Sequence, residues 1–173
     1  MKKLLVVVDY QKDFVDGSLG FAGAEQLEGP ICEKIEAYAR SGGDVVFTFD
    51  THEDDYLNTQ EGKKLPVPHC ILGSEGWQLY GRVRALSVGR TLFFKKTFGC
   101  GELYDYLQAH PEYESVELVG LVSNICVMAN AILAKTALPE AEILVDSACT
   151  AGADAALHQK ALDVLRGLQV TVL

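Results

Sequence analysis

A three-layer α/β/α domain around a mostly parallel, six-stranded sheet is what this chain predicts, and three observations predict it. Short apolar, β-branched runs recur along the chain, each the length of a strand buried on both faces. Amphipathic stretches of helical period lie between them, so strand and helix alternate, as right-handed βαβ crossovers require. No repeat, low-complexity tract or linker interrupts the alternation, and 173 residues suit one domain over 1–173 with a full core.

The elements follow in order. Leu4–Val8 is the first strand, ended by Asp9. A loop with Gly17, Gly20 and Gly23 leads to a helix over 30–40, opened by Pro30 and stopped by Gly42-Gly43. Asp44–Phe49 is the second strand, ended by Asp50. Residues 51–73 form the longest irregular stretch, with His52 and His69 near its ends; loops of this length inside a compact domain are usually functional. Trp77–Leu86 reads as a helix, Thr91–Phe94 as the third strand ended by Lys95, and Glu102–His110 as a helix. Glu117–Val119 is the fourth strand, and a helix runs from Cys126 to Leu138. Ile143–Val145 is the fifth strand, ended by Asp146; a helix over Asp154–Leu165 and a last strand over Gln169–Leu173 complete the chain.

Composition narrows the function. A net charge of −9 argues against a nucleic-acid backbone as partner, because that requires a basic face. The apolar run after Lys2 and Lys3 stops at Asp9, too short for a signal peptide, and no stretch approaches a membrane span. Five scattered cysteines without a CxxC pair form the pattern of a reducing compartment, so a cytoplasmic protein without disulfides is expected.

In a parallel sheet, ligands bind outside the carboxyl ends of the strands. Asp9, Asp50, Lys95 and the turn before Cys126 all fall at such ends. In VELVGLVSNICVMANA, Cys126 opens a helix, where unpaired N–H groups and the helix dipole favour a thiolate below the usual pKa of about 8.5. Such a cysteine attacks carbonyls, needs a base to take its proton and gains from a nearby cation. Asp9 suits the base and Lys95 the cation, with Lys96 as its neighbour. Singly each has a plainer reading: Cys126 as a core cysteine, Asp9 as a turn cap, the lysines as solvated surface groups. Their shared position on one rim favours function. Asp50, His52 and His69 offer a carboxylate and two imidazoles, a donor set for a divalent metal such as zinc with positions left open.

With these residues in view, the chain resembles the isochorismatase-like cysteine hydrolases, an α/β Rossmann-like fold, and within them the nicotinamidase branch. The resemblance spans almost the whole chain through VVVDYQKDFVDGSLG (D-x-Q-x-D-F), FTFDTH, PVPHCILGSEGW, FFKKTFG and VGLVSNICVMANA. It implies a triad of Asp9, Lys95 and Cys126, with Lys95 preferred to Lys96 because it stands three residues before Phe98. It further implies a metal, zinc by preference, on Asp50, His52 and His69, and a cis peptide at Val122–Ser123. Backbone donors around Val122, Ser123 and Cys126 would hold an oxyanion. A small amide substrate such as nicotinamide and a homo-oligomeric assembly are implied as well. Two departures stand out. The second loop histidine common in nicotinamidases is absent where Asp55, Tyr56 and Leu57 stand, and the tryptophan expected ahead of the metal histidine is replaced by Leu65-Pro66-Val67-Pro68. Phe14, Tyr10 or Trp77 are the candidates for an aromatic substrate wall. The competing readings keep the triad with another small amide, an N-carbamoyl compound or a vinyl ether, or keep the fold alone as a binding or redox-sensing module.

Overall fold

The computed structural model describes residues 2–173. Its centre is one six-stranded sheet formed by β1 (Lys2–Val8), β2 (Asp44–Asp50), β3 (Thr91–Lys95), β4 (Tyr113–Leu121), β5 (Glu142–Ala151) and β6 (Thr171–Val172). The strand order is β3-β2-β1-β4-β5-β6, and every neighbouring pair is parallel. The order reverses between β1 and β4, which makes that boundary the switch point where a crevice opens at the strand ends.

Period-two alternation along β1 divides the core. Leu5 and Val7 pack with Ile31 and Ile35 of α2 (Glu28–Arg40) and Val83 of α4 (Gly81–Leu86). Leu4, Val6 and Val8 face the opposite way, toward Leu103 and Leu107 of α5 (Gly101–Ala109), Ala131 and Ala134 of α6 (Met128–Ala137) and Leu162 and Leu165 of α7 (Ala155–Gly167). Two short helices, α1 (Lys12–Val15) and α3 (Gln60–Lys64), lie in the loops after β1 and β2. Among the described residues, no helix is long and apolar enough to cross a membrane.

Several boundaries differ from those expected, each for a local reason. β4 starts at Tyr113, four residues before the expected Glu117, because Tyr113, Ser115 and Val116 pair with Lys2, Lys3 and Leu4 of β1. β5 runs past Asp146 to Ala151 through a bulge, its partners stepping from Val145 opposite Leu118 to Thr150 opposite Gly120. The Asp146 carboxylate accepts the Ala148 N–H inside that bulge, so polar residues sit within the strand. Residues 77–80 are not helical. The Tyr80 N–H donates to the Tyr10 carbonyl and the Lys12 N–H to the Gln78 carbonyl, so this stretch lies extended along the segment after β1. The helix after β4 does not open at Cys126 either: a single π-helical turn, Ser123–Val127, precedes α6.

Gly120 passes close to the Val8 backbone of β1. Its φ is +109°, and a Cβ there would lie 2.0 Å from the Val8 carbonyl oxygen. Gly120→Ala combines a disfavoured backbone with a backbone clash and is expected to cost more than about 3 kcal/mol. Urea denaturation measures this, and a loss under about 1 kcal/mol would show that the two strands can part there.

Candidate active site

Asp9 follows the last residue of β1 with φ +45°, in the left-handed region that non-glycine residues rarely occupy. Its N–H bonds the Thr48 carbonyl and its Oδ1 accepts from the Thr48 hydroxyl at 2.7 Å, so β2 holds the carboxylate in place. Oδ2 lies 2.6 Å from the Lys95 Nζ. Lys95 closes β3 and is only 4% exposed, whereas the Lys96 side chain is 79% exposed, so only Lys95 reaches the crevice. The Lys95 ammonium also meets Asp50 Oδ1 at 3.3 Å, the Thr97 carbonyl at 3.0 Å and the Cys126 Sγ at 3.4 Å. The structure therefore brings Asp9, Lys95 and Cys126 together from β1, β3 and the turn after β4.

Cys126 is buried in the π turn. The Val122 carbonyl accepts from both Ile125 and Val127, which widens the turn beyond an α-helical one. Asn130, fully buried on α6, donates to the Cys126 and Phe98 carbonyls and accepts the Cys100 N–H, tying the turn to the segment beyond β3. The cis peptide is Leu121–Val122, one bond earlier than Val122–Ser123, since β4 itself extends to Leu121.

The electrostatics of the thiol depart from expectation. Burial, followed by the negative charge of Asp9, pushes the Cys126 pKa well above the ordinary thiol value, and Lys95 offsets this only in part. Asp9 is raised as well, by burial against the opposing pull of Lys95. Burial works against the Lys95 charge, but Asp9, Cys126 and Asp50 prevail and hold it above the ordinary lysine range.

Beside this group stands a second cluster. Asp50, His52, Glu61 and His69 each offer one ligand atom, all within 4.8 Å of one another. Asp50 Oδ2 lies 3.0 Å from the His52 Nε2 and 3.3 Å from the His69 Nε2, and Glu61 Oε1 lies 3.8 Å and 3.6 Å from the same nitrogens. The His69 Nδ1 is 2.8 Å from the Val67 carbonyl, which turns Nε2 toward the cluster. Burial favours a neutral Asp50, but hydrogen bonds from His52 and His69, with Lys95, keep its pKa below the carboxylate range. Two imidazoles and two carboxylates converging in a buried site fit a divalent metal.

Glu61 was not singled out from the sequence. It lies on α3, whose N-cap Thr59 accepts the Gly62 N–H, and this short helix turns the carboxylate toward His52 and His69. Its only signal was a carboxylate within the long loop, in a chain lacking the expected second loop histidine. The aromatic candidates separate. The Phe14 ring packs 5.5 Å from that of His69 and stays beside the cluster. Tyr10 does not face the crevice: it is fully buried on the α2 side of the sheet, its hydroxyl donating to the Ala24 carbonyl, because it follows Asp9 and points to the opposite face. Trp77 also turns away, its ring packed on Phe49 and Phe94 and its Nε1 donating to the Thr51 hydroxyl.

The family model of the isochorismatase domain matches residues 3–173. The chain belongs to the isochorismatase family. A curated relative, the uncharacterized isochorismatase family protein PncA of Bacillus subtilis strain 168, is 30% identical over 145 residues, 76% of this chain and 78% of the relative. The crystal structure of nicotinamidase PncA from Bacillus subtilis superposes with a TM-score of 0.87 at 28% identity, covering 99% of each chain. N-carbamoylsarcosine amidase from Thermoplasma acidophilum gives 0.81 at 28% identity, covering 99% of this chain and 95% of its own. A Pyrococcus horikoshii pyrazinamidase solved in complex with zinc shares the fold, with a TM-score of 0.87 at 21% identity over 100% and 99% of the two chains. The chain is thus an isochorismatase-family hydrolase, with an amidase among the structures it resembles.

The raised thiol pKa has a direct readout. Alkylation of Cys126 by iodoacetamide, followed by mass spectrometry of the labelled peptide, is expected to keep accelerating as pH rises past about 8.5, the ordinary thiol value. A rate that levels off below neutral pH would mean a stabilised thiolate instead.

Proposed function

We propose that this enzyme hydrolyses a small primary amide, nicotinamide first among them, to the acid and ammonia through a thioester on Cys126. The observation that carries the reading is the Lys95 ammonium set between Asp9, Cys126 and Asp50, the last of which belongs to the metal-ligand cluster. In this reading Asp9, which shares the Lys95 ammonium with the thiol, takes its proton as Sγ attacks the amide carbon. The amide oxygen becomes an oxyanion received by backbone N–H groups of the turn at Val122, Ser123 and Cys126. Asp9 returns the proton to the departing nitrogen, and the C–N bond breaks with release of ammonia. A water then attacks the thioester, Asp9 accepts its proton, and the thiol leaves as the acid forms. The raised pKa values of Cys126 and Asp9 suit this exchange: both groups favour carrying the proton, and it passes between them without leaving the site.

A divalent metal, zinc by preference, would be held by Asp50, His52, Glu61 and His69 and would supply a Lewis-acid position for a pyridine nitrogen or a water. Phe14, packed against His69, would form one wall for a flat ring. The same groups serve another small amide or an N-carbamoyl compound, and the metal cluster is what favours an amide with a ligating ring nitrogen.

Cys126→Ala is expected to lower ammonia release from nicotinamide by more than about 1,000-fold, in the range seen when a catalytic nucleophile is removed. Retention of a tenth of the activity would exclude the thioester route. Glu61→Ala is expected to weaken zinc binding about 10- to 100-fold, measured by competition with a chelating dye. An unchanged affinity would leave Asp50, His52 and His69 as the whole ligand set.

A further inference from the structure

Helix α7 reaches the nucleophile turn through a residue outside both clusters. Its N-cap Asp154 accepts the N–H groups of Ala156 and Leu157 on Oδ1, and the Asp154 carbonyl accepts that of His158. This rigid first turn delivers His158, whose Nδ1 lies 2.8 Å from the Ser123 Oγ. Ser123 has no exposed surface, so its hydroxyl depends on a protein partner. Gly152 marks how closely the segments pass. A Cβ there would come 2.9 Å from Asn124 Oδ1, 3.3 Å from Ser123 Oγ and 3.8 Å from the His158 Cβ. Ser123 opens the π turn and stands three residues before Cys126.

We infer that His158 is a positioning residue: by holding the Ser123 hydroxyl it fixes the direction of the backbone N–H groups that receive the oxyanion. The inference rests on the proposal that Cys126 attacks a carbonyl. The turn has few other anchors of this kind. Asn130 on α6 fixes its far end through the Cys126 carbonyl, while His158 on α7 fixes its start through Ser123. An oxyanion exists only after attack, so donors that lose their aim weaken the transition state and leave substrate binding unchanged. Either polarity of the hydrogen bond serves, since a neutral imidazole nitrogen can accept from the hydroxyl or donate to it.

The test compares H158F, H158N, S123A and the double variant S123A/H158F, each with the wild-type metal content and thermal midpoint measured in parallel. On nicotinamide, H158F and S123A are expected to lower kcat about 10- to 100-fold with KM within about twofold, and the double variant to be no worse than the poorer single one. The side-chain amide of H158N reaches the Nδ1 position and is expected to restore kcat to within about threefold of wild type. A change in KM alone, full activity in H158F, or multiplicative losses in the double variant would overturn the inference. The substrate proposal is separated by a second readout, the burst of p-nitrophenolate from p-nitrophenyl acetate. There Sγ–C forms, C–O breaks and the thiol proton passes to Asp9, with no amide required. Wild-type protein that is silent on nicotinamide but shows this burst, slowed in H158F, would remove the substrate and keep the positioning role. A burst equally fast in H158F would remove the role, and no burst in wild type would remove both.

Discussion

One buried ammonium sets the terms for the crevice. Lys95 is almost fully buried, and an ion placed there must be matched by opposite charge and hydrogen-bond acceptors or cost several kcal/mol. Asp9 from β1, Asp50 from β2 and the Thr97 carbonyl provide them, with the Cys126 sulfur as a further neighbour. Each stands at the carboxyl end of a strand or in a turn directly beyond one. The parallel order β3-β2-β1-β4 is what places them on one rim. Stripping one carboxylate from such a pair leaves a buried charge short of a partner, a loss of about 3–5 kcal/mol, so chemistry and stability are bound together here.

The segment after β1 distributes this order further. Asp9 turns to Lys95. Gln11, fully buried, donates to the Asp50 and Trp77 carbonyls and accepts the Asp50 N–H, gripping the backbone of the residue that serves both clusters. Asp13 accepts the Cys70 N–H at 2.7 Å, which fixes the chain next to His69. Phe14 packs on the His69 ring. A single D-x-Q-x-D-F stretch thereby aligns groups that lie 39 (Gln11 to Asp50) to 86 (Asp9 to Lys95) residues away in sequence. Buried polar networks of this type hold one arrangement when every member is satisfied, which is the condition a preorganised site must meet.

Much of this was legible before any coordinates, for a physical reason. Asp9, Asp50 and Lys95 each break an apolar strand, and the alternation of strand and helix predicts that strand ends converge; the five family segments sharpened that expectation residue by residue. The parts that escaped depend on tertiary distance or solvation. Glu61 became visible only once α3 had folded back on the histidines. His158 sits on a helix whose sequence reads as an ordinary amphipathic one, and only the close passage at Gly152 gives it a partner. Tyr10 and Trp77 looked like pocket walls because they are aromatic and near the motifs, yet strand pleat and an extended connection turned them into other layers. The Cys126 pKa is raised by burial, which a sequence does not display.

That rise bears on how such a site would work. A thiol already ionised at rest would be exposed to oxidants and stray electrophiles, since susceptibility follows thiolate character. Here the sulfur is buried and its pKa raised, while Asp9, itself raised, is poised to share the proton. The same desolvation thus raises both Cys126 and Asp9, and Lys95 stands beside both to offset a negative charge on either. Under the proposed thioester route, charge would move over a few ångströms between fixed partners, with little reorganisation as the carbonyl is attacked. The neighbouring cluster adds a further constraint, because Asp50 offers one oxygen to Lys95 and the other to His52 and His69. Any cation held by that cluster competes with Lys95 for the charge on Asp50. Binding there would strengthen the hold of Lys95 on Asp9, so the two clusters would be electrostatically coupled through one carboxylate.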